Sequence, residues 1–489
     1  MKIYNSLTRK KEPFIPITPG QINIYTCGQT VYNDIHIGNA RFYVAFDAIR
    51  RYLEYKGFNV KYVQNFTDID DKIIEKAAQE NTTTQELADR YVARTLSDLD
   101  ALNVNHATIH PRATEEMPEI IAMIKKLITS QNAYEKNGSV YFDTTSVKNY
   151  GKLSRKNIDD LIAGARIKVD DDKKNPSDFI LWKPAKPGEP AWESPWGSGR
   201  PGWHIECSAM AKKYLGDEID IHGGGSDPIF PHHENEIAQS EAANCCNFAR
   251  YWMHSGLITA NHKKMSKSQG NFQTLHEVAQ KFSYDIIRFY LVSGHYRMPM
   301  EFTDEVLEAA EQGLERIRNC YRNLLHKLGN IGKFGGDPIP SKEMRDVRDA
   351  FHAAMDDDFN TADAVTAIFE LVKYINTQLT TNQIGCQPPQ KTTSDTEHQT
   401  SFTRLLWEYK TKLEWMCDLL GIRLIPSNDD KEESPDASAE AEEIDALVAA
   451  RQAARASKNF VESDRIRDEL TARGIILEDT PQGPRWRKA

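Results

Sequence analysis

Apolar residues alternate through INIYTCG (22–28) and again through NVKYVQNFTD (59–68), and their enrichment in Ile, Val, Tyr and Phe predicts two strands. Between them, ARFYVAFDAIRRYLEYKG sets Phe42, Phe46, Ile49 and Leu53 at helical spacing, with Gly57 as the stop. The first 70 residues therefore predict one β-α-β unit of a parallel, doubly wound sheet, whose ligands bind beyond the strand C-termini. Helical periodicity follows at about 84–103 and 114–130, and the Gly/Pro/Trp-rich stretch 184–203 predicts a loop. Strand character returns in EIDIHGGG (218–225) and RYWMHSGLIT (250–259), so residues 1–300 read as one Rossmann-like α/β domain with an insertion at about 110–200.

Beyond residue 300 the pattern turns helical and predicts a bundle over 301–425, with a polar loop or disordered insert at about 386–400. Residues 426–443 (PSNDDKEESPDASAEAEE) predict an acidic linker. Residues 444–489 form a small C-terminal domain, with a helix around 444–456 and a second, DRIRDELTAR, capped by Ser463 and stopped at Gly474. The Asp-rich pieces 170–174 and 356–359 lack EF-hand spacing and read as solvated turns.

At 489 residues the chain buries a large core unaided, and no run of about 18 apolar residues exists to cross a bilayer. The opening MKIYNSLTRKKEPF has no apolar h-region, and seven cysteines are a sparse, odd set, so a reducing, cytoplasmic setting is expected. The net charge of -10 would argue against a polyanionic partner if it were spread evenly. It is not: 426–443 carry -7, leaving -3 for the rest, and 444–489 are net +2 with an RWRK end.

KKMSKSQGN (263–271) is a cationic, Gly-containing loop suited to enclosing a polyphosphate. Alone, such a loop is more often plain solvated surface. HIGN at 36–39 changes that weighting, because it falls between the first strand and first helix, where His36 and a close-approach Gly38 meet phosphates at a helix N-terminus. A second chemistry lies in PHHENEIAQS, where His232 and Glu236 at i and i+4 share one helix face. This is no H-E-x-x-H site, since position 237 is Ile. Taken singly, Cys27 and Cys207 are ordinary small buried residues and His232 an ordinary surface one.

Ile35-His36-Ile37-Gly38-Asn39 followed by Lys264-Met265-Ser266-Lys267-Ser268 resembles the paired signatures of class I aminoacyl-tRNA synthetases. YTCGQTVYNDIHIGNAR, NFTDIDDKII, GWHIECSAM, DIHGGGSDPIFPHHENEIAQS and KMSKSQGNF extend the likeness to the cysteinyl-tRNA synthetase family over essentially the whole chain, the insert near 386–400 excepted. Asn39 stands where the generic signature has His, as is familiar in that subgroup.

The resemblance implies activation of L-cysteine by ATP with Mg²⁺ and transfer to tRNA(Cys). It implies His36, Lys264 and Lys267 as catalytic residues, and His36, Gly38, Asn39, Asp227, Lys264, Lys267 and Ser268 around ATP. Thr67, Trp203 and His222 would surround the amino acid, and Cys27, Cys207, His232 and Glu236 would hold one Zn²⁺. It further implies a tRNA-facing bundle, an anticodon-recognition domain at 444–489 and a monomer. Two thiolates, an imidazole and a carboxylate suit Zn²⁺, and a thiol ligates it where serine's hydroxyl does not, so no editing domain is expected. Two other readings stay open at this point: a ligase coupling cysteinyl-adenylate to a small amine, and an inactive RNA-binding paralogue.

Overall fold

The computed structural model describes residues 1–156, 172–260, 263–264, 273–329, 342–381, 393–426, 435–457, 459–480 and 483–488. It opens with a hairpin, β1 (Lys2–Asn5) and β2 (Lys10–Pro13), which periodicity had not predicted because four-residue strands carry too short a pattern. Next come β3 (Gln21–Thr26), α1 (Ile37–Tyr55) and β4 (Asn59–Gln64), the expected β-α-β unit, with Gly57 in the left-handed region just past the helix. Burial of Phe46, Ile49, Tyr52 and Leu53 on the α1 face contributes about 1.5–3 kcal/mol for each side chain. Then follow α2 (Asp71–Glu80), α3 (Thr84–Ala101) and α4 (Met117–Thr129).

The insertion carries a separate antiparallel sheet in the order β5 (Ala133–Lys136), β6 (Ser139–Phe142), β7 (Phe179–Pro184) and β8 (Gly199–Pro201). The chain returns through α5 (Trp203–Leu215), β9 (Ile219–Gly225), α6 (His232–Asn244) and β10 (Ala249–Ser255). The main sheet is wholly parallel, in the order β10-β9-β3-β4. Strand order reverses between β3 and β9, so a crevice opens beyond their C-terminal ends, where Cys27 follows β3 and His222 to Gly225 end β9.

Three short strands follow, β11 (Ile258–Ala260), β12 (Lys263–Lys264) and β13 (Met300–Glu301), together with α7 (Leu275–Ala279) and α8 (Tyr284–Val292). The bundle consists of α9 (Asp304–Leu328), α10 (Lys342–Asp356), α11 (Thr361–Thr381) and α12 (Thr393–Leu419).

Helix α12 corrects the expected loop over 393–400, residues 386–392 lying outside the described ones: it begins at Thr393, because beyond Pro389 no Gly or Pro interrupts a run that continues into an apolar-periodic helix. Asp358 corrects the solvated-turn reading of 356–359. It is fully buried and accepts from Tyr4 N (2.7 Å), Tyr296 Oη (2.8 Å) and Arg297 Nε (2.6 Å).

The chain divides into two compact units, Met1–Ile425 and Pro426–Ala489. The second holds α13 (Pro435–Ala456), α14 (Phe460–Ala472) and the antiparallel pair β14 (Ile475–Thr480) and β15 (Gly483–Lys488), around a core of Ile444, Val448, Ile466, Leu470 and Ile475. Two expectations change here. Helix α13 starts inside the expected 426–443 linker, with Pro435 at the first helical position and acidic residues in the N-terminal half, where the helix dipole favours them. The cap of α14 is Asn459, whose side chain accepts from Glu462 N (3.3 Å), and Ser463 is buried inside the helix.

Candidate active site

Four elements deliver side chains to the crevice: the β3 terminus gives Cys27, the β4 terminus Asn65 and Thr67, α5 Trp203 to Cys207, and α6 His232 and Glu236. One ligand atom from each of Cys27, Cys207, His232 and Glu236 lies within 4.8 Å of the others. Cys27 Sγ donates to Glu236 Oε1 at 3.0 Å, and His232 Nε2 lies 3.0 Å from the same oxygen, as the i,i+4 spacing demands. His232 Nε2 is buried and faces only this cluster, so an imidazole nitrogen, two sulfurs and a carboxylate oxygen converge on one point. Such a soft, four-donor set could hold a metal ion, and the residues present fit a Zn²⁺-like one. An overlapping set, Cys27, His222, His233 and Glu236, has one sulfur fewer.

Electrostatics within the cluster are uneven. Burial pushes the Cys27 thiol well above its usual range, and the neighbouring Cys207 sulfur adds to this. For Cys207 burial also acts upward, but the neighbouring Cys27 and the positive His232 outweigh it and bring the thiol down to about 6. Burial opposes a charged His232, yet Glu236 and Cys207 hold it protonated up to about 10. His222 and His232 overcome burial and keep Glu236 ionised well below the usual carboxylate range. The centre thus already favours a positive charge among anionic donors.

The residues assigned to the amino-acid pocket gather around these donors. His222 Nε2 is 2.8 Å from Glu236 Oε2 and its ring stacks on Trp252 with centroids 4.3 Å apart. Trp203 lies with its ring centroid 4.3 Å from that of His232, and 43% of its surface is exposed toward solvent. Thr67 is buried and donates to Glu206 Oε2 at 3.2 Å. Sequence reasoning missed Asn65, which accepts from Gly28 N at 2.9 Å, sits 3.7 Å from Cys207 Sγ and donates to Thr67 Oγ1 at 3.3 Å. Its signal was its place in NFTD, at the end of a strand beside Thr67. Gly28 is required there, because a Cβ would come within 1.6 Å of the Asn65 carbonyl oxygen.

The other half of the site is the turn into α1. His36 is the N-cap: its Nδ1 accepts from Gly38 N (3.0 Å) and Asn39 N (3.3 Å), while Asn39 Oδ1 accepts from His36 N (3.2 Å) and closes a capping box. With Nδ1 an acceptor, the ring proton of a neutral His36 resides on Nε2. A Cβ on residue 38 would come within 2.8 Å of the His36 ring, so the signature glycine makes room for the cap. Thr274 bridges His36, and Leu275 N donates to Ile35 O at 2.8 Å. Lys264 lies on β12, paired with β11. Lys267 and Ser268 lie outside the described residues, and Asp227 is exposed just beyond β9.

Comparison with known proteins places this geometry. Two solved structures of Mycobacterium tuberculosis methionyl-tRNA synthetase, both with methionyl-adenylate, share the fold at TM-scores of 0.58 and 0.60. Each is 14% identical, and they cover 82% of this chain and 89% or 92% of theirs. The family model for the class I (C) tRNA synthetase catalytic domain matches residues 13–312, a DALR domain matches 350–422, and the cysteinyl-tRNA ligase anticodon binding domain matches 437–487. The molecule is therefore a class I tRNA synthetase by fold and by catalytic domain.

Curated cysteine–tRNA ligases of Lachnoclostridium phytofermentans and Lachnospira eligens are 50% and 48% identical over 100% of this chain and of theirs, and this chain belongs to that family. A match that runs through the anticodon-binding domain at such identity sets aside the amine-coupling ligase and the idle paralogue.

Proposed function

We propose that this protein is a cysteine–tRNA ligase that selects its amino acid through a Zn²⁺ ion held by Cys27, Cys207, His232 and Glu236. The observation that carries the proposal is the convergence of those four donors at the switch point of the sheet, with His232 Nε2 buried and turned into the cluster. When bound, the ion supplies a Lewis-acid position that takes a thiol as thiolate and leaves an alcohol of the same shape poorly held. Thr67, Trp203 and His222 surround the amino acid and orient its carboxylate toward ATP.

In the first step the cysteine carboxylate attacks the α-phosphorus, an acyl–phosphate bond forms and pyrophosphate leaves. In the second, a ribose hydroxyl at the tRNA 3′ end attacks the acyl carbon and AMP leaves. No acyl group is ever bonded to the protein. His36 offers its Nε2 proton to the phosphates, Gly38 and Asn39 shape the turn beside them, and Asp227 lies on the nucleotide side. Lys264, Lys267 and Ser268 offset charge on the departing pyrophosphate, and Mg²⁺ accompanies ATP. The 437–487 region reads the anticodon. Among the described residues no helix is long and apolar enough to cross a membrane.

The test is ATP–pyrophosphate exchange with each amino acid, before and after stripping metal with a strong chelator. Exchange with cysteine but not serine, lost on stripping and restored by Zn²⁺, is expected. Cysteine activation by protein free of stoichiometric transition metal would overturn the metal-based selection.

A further inference from the structure

His204 belongs to none of the roles assigned above, yet its Nδ1 lies 2.8 Å from Nδ1 of His232. The other ring nitrogen of His232, Nε2, is the one turned into the donor cluster, 3.0 Å from Glu236 Oε1. A nitrogen that ligates a metal carries no proton, so an imidazole bound through Nε2 keeps its proton on Nδ1. Any atom at hydrogen-bond distance from that Nδ1 must then accept.

We infer that His204 is a positioning residue for the metal: its Nδ1 accepts the Nδ1 proton of His232, which fixes the ligand's tautomer and ring orientation and raises the basicity of Nε2. The inference rests on the proposed metal reading of the site. Ligand histidines ordinarily give this proton to a carboxylate, a backbone carbonyl or water. Here a second imidazole takes it, and the proton of His204 accordingly resides on its own Nε2.

The surroundings hold His204 for this task. Its ring meets Phe179 edge-on, centroids 5.7 Å apart at 90°, and lies 5.3 Å from Trp203. Gln239, on the same helix as His232, donates through Nε2 to the His204 carbonyl at 2.8 Å and to Ser208 Oγ at 2.9 Å. The start of α5 is thereby tied to the helix that presents the ligand, and the imidazole pair stays in register.

Two substitutions separate the acceptor from the ring. In His204→Asn, Oδ1 stands near the former Nδ1 position and can accept, while the aromatic packing is lost. In His204→Phe the packing is kept and the acceptor is lost. The measurement is the Zn²⁺ affinity of the full-length chain, without substrates, by competition with a chromophoric chelator. His204→Phe is expected to weaken Zn²⁺ binding roughly 10–100-fold and His204→Asn by no more than about threefold. Unchanged affinity in His204→Phe, or equal weakening in both variants, overturns the inference and leaves a packing role. Should His204→Phe fail to fold, a tenfold or greater loss in His204→Asn overturns it. A wild-type chain that binds no Zn²⁺ refutes the metal reading as well, so the two failures are distinguishable.

Discussion

Glu236 faces two ways, with Oε1 toward Cys27 and His232 and Oε2 toward His222, so one buried carboxylate joins the donor cluster to His222 and the proposed amino-acid pocket. Of the two thiols Cys207 is the more disposed to be a thiolate, since the neighbouring Cys27 and the positive charge of His232 favour its anion. Cys207→Ser replaces a soft anionic donor with a neutral oxygen in a buried position. The variant should purify with less than one equivalent of Zn²⁺ by elemental analysis and show a raised KM for cysteine in pyrophosphate exchange; normal values of both would remove Cys207 from the ligand set. Lys267→Ala should slow adenylate formation roughly 100-fold or more, as loss of one charge-stabilising donor does, while cysteine affinity stays near wild type. A wild-type exchange rate would refute its assignment to pyrophosphate departure.

At the level of elements, α1 starts where the chemistry needs it because His36 is both cap and candidate phosphate ligand. The two roles separate by substitution. Asn is a good N-cap but offers no Nε2 proton, so His36→Asn should keep the thermal midpoint close to wild type while losing most exchange activity. His36→Ala should also cost about 0.5–2 kcal/mol of stability. An active His36→Asn would mean that only capping matters.

A second element-level feature is the row of imidazoles behind the site. His233 Nδ1 meets His254 Nε2 at 2.9 Å, and His254 Nδ1 meets Ser6 Oγ at 2.8 Å, linking α6 through β10 to the residue after β1. Burial, with the neighbouring His222, holds His254 down to about 3, against an ordinary value near 6.5. Between those values the unfolded chain binds the proton and the folded one does not. Stability should therefore be full above about pH 6.5 and fall on acidification toward pH 3, by up to about 1.4 kcal/mol per pH unit from this residue. Thermal denaturation across that range should show a shallower slope in His254→Gln; an unchanged slope would assign the acid sensitivity elsewhere.

For the whole molecule, the two compact units have separate cores, and the proposed metal donors and α1 belong to Met1–Ile425. A chain ended after Ile425 should keep cysteine-dependent pyrophosphate exchange within a few-fold, yet charge tRNA at least tenfold more slowly, since the unit matching the anticodon-binding domain is gone. Equal charging by the shortened chain would assign tRNA selection to the first unit alone.

The β-α-β unit, the bundle and the His232–Glu236 pair were legible in the sequence because each depends on spacing within one element, where period 2 or 3.6 writes itself into the order of residues. The same holds for the signature at His36, whose cap reaches three residues. Segments read by composition fared differently: the polar run ending at 400 and the acidic run ending at 443 both proved to begin helices, because Thr, Asp and Glu are accepted at helix starts as readily as in loops. What only the tertiary structure decided is which side chains meet across long separations. Asn65 reaches Cys207, His204 reaches His232 and Asp358 reaches Tyr4 through strand order and helix packing. Such contacts leave no local period in the chain, since they are fixed by where the folded backbone brings distant segments together rather than by their neighbours in sequence.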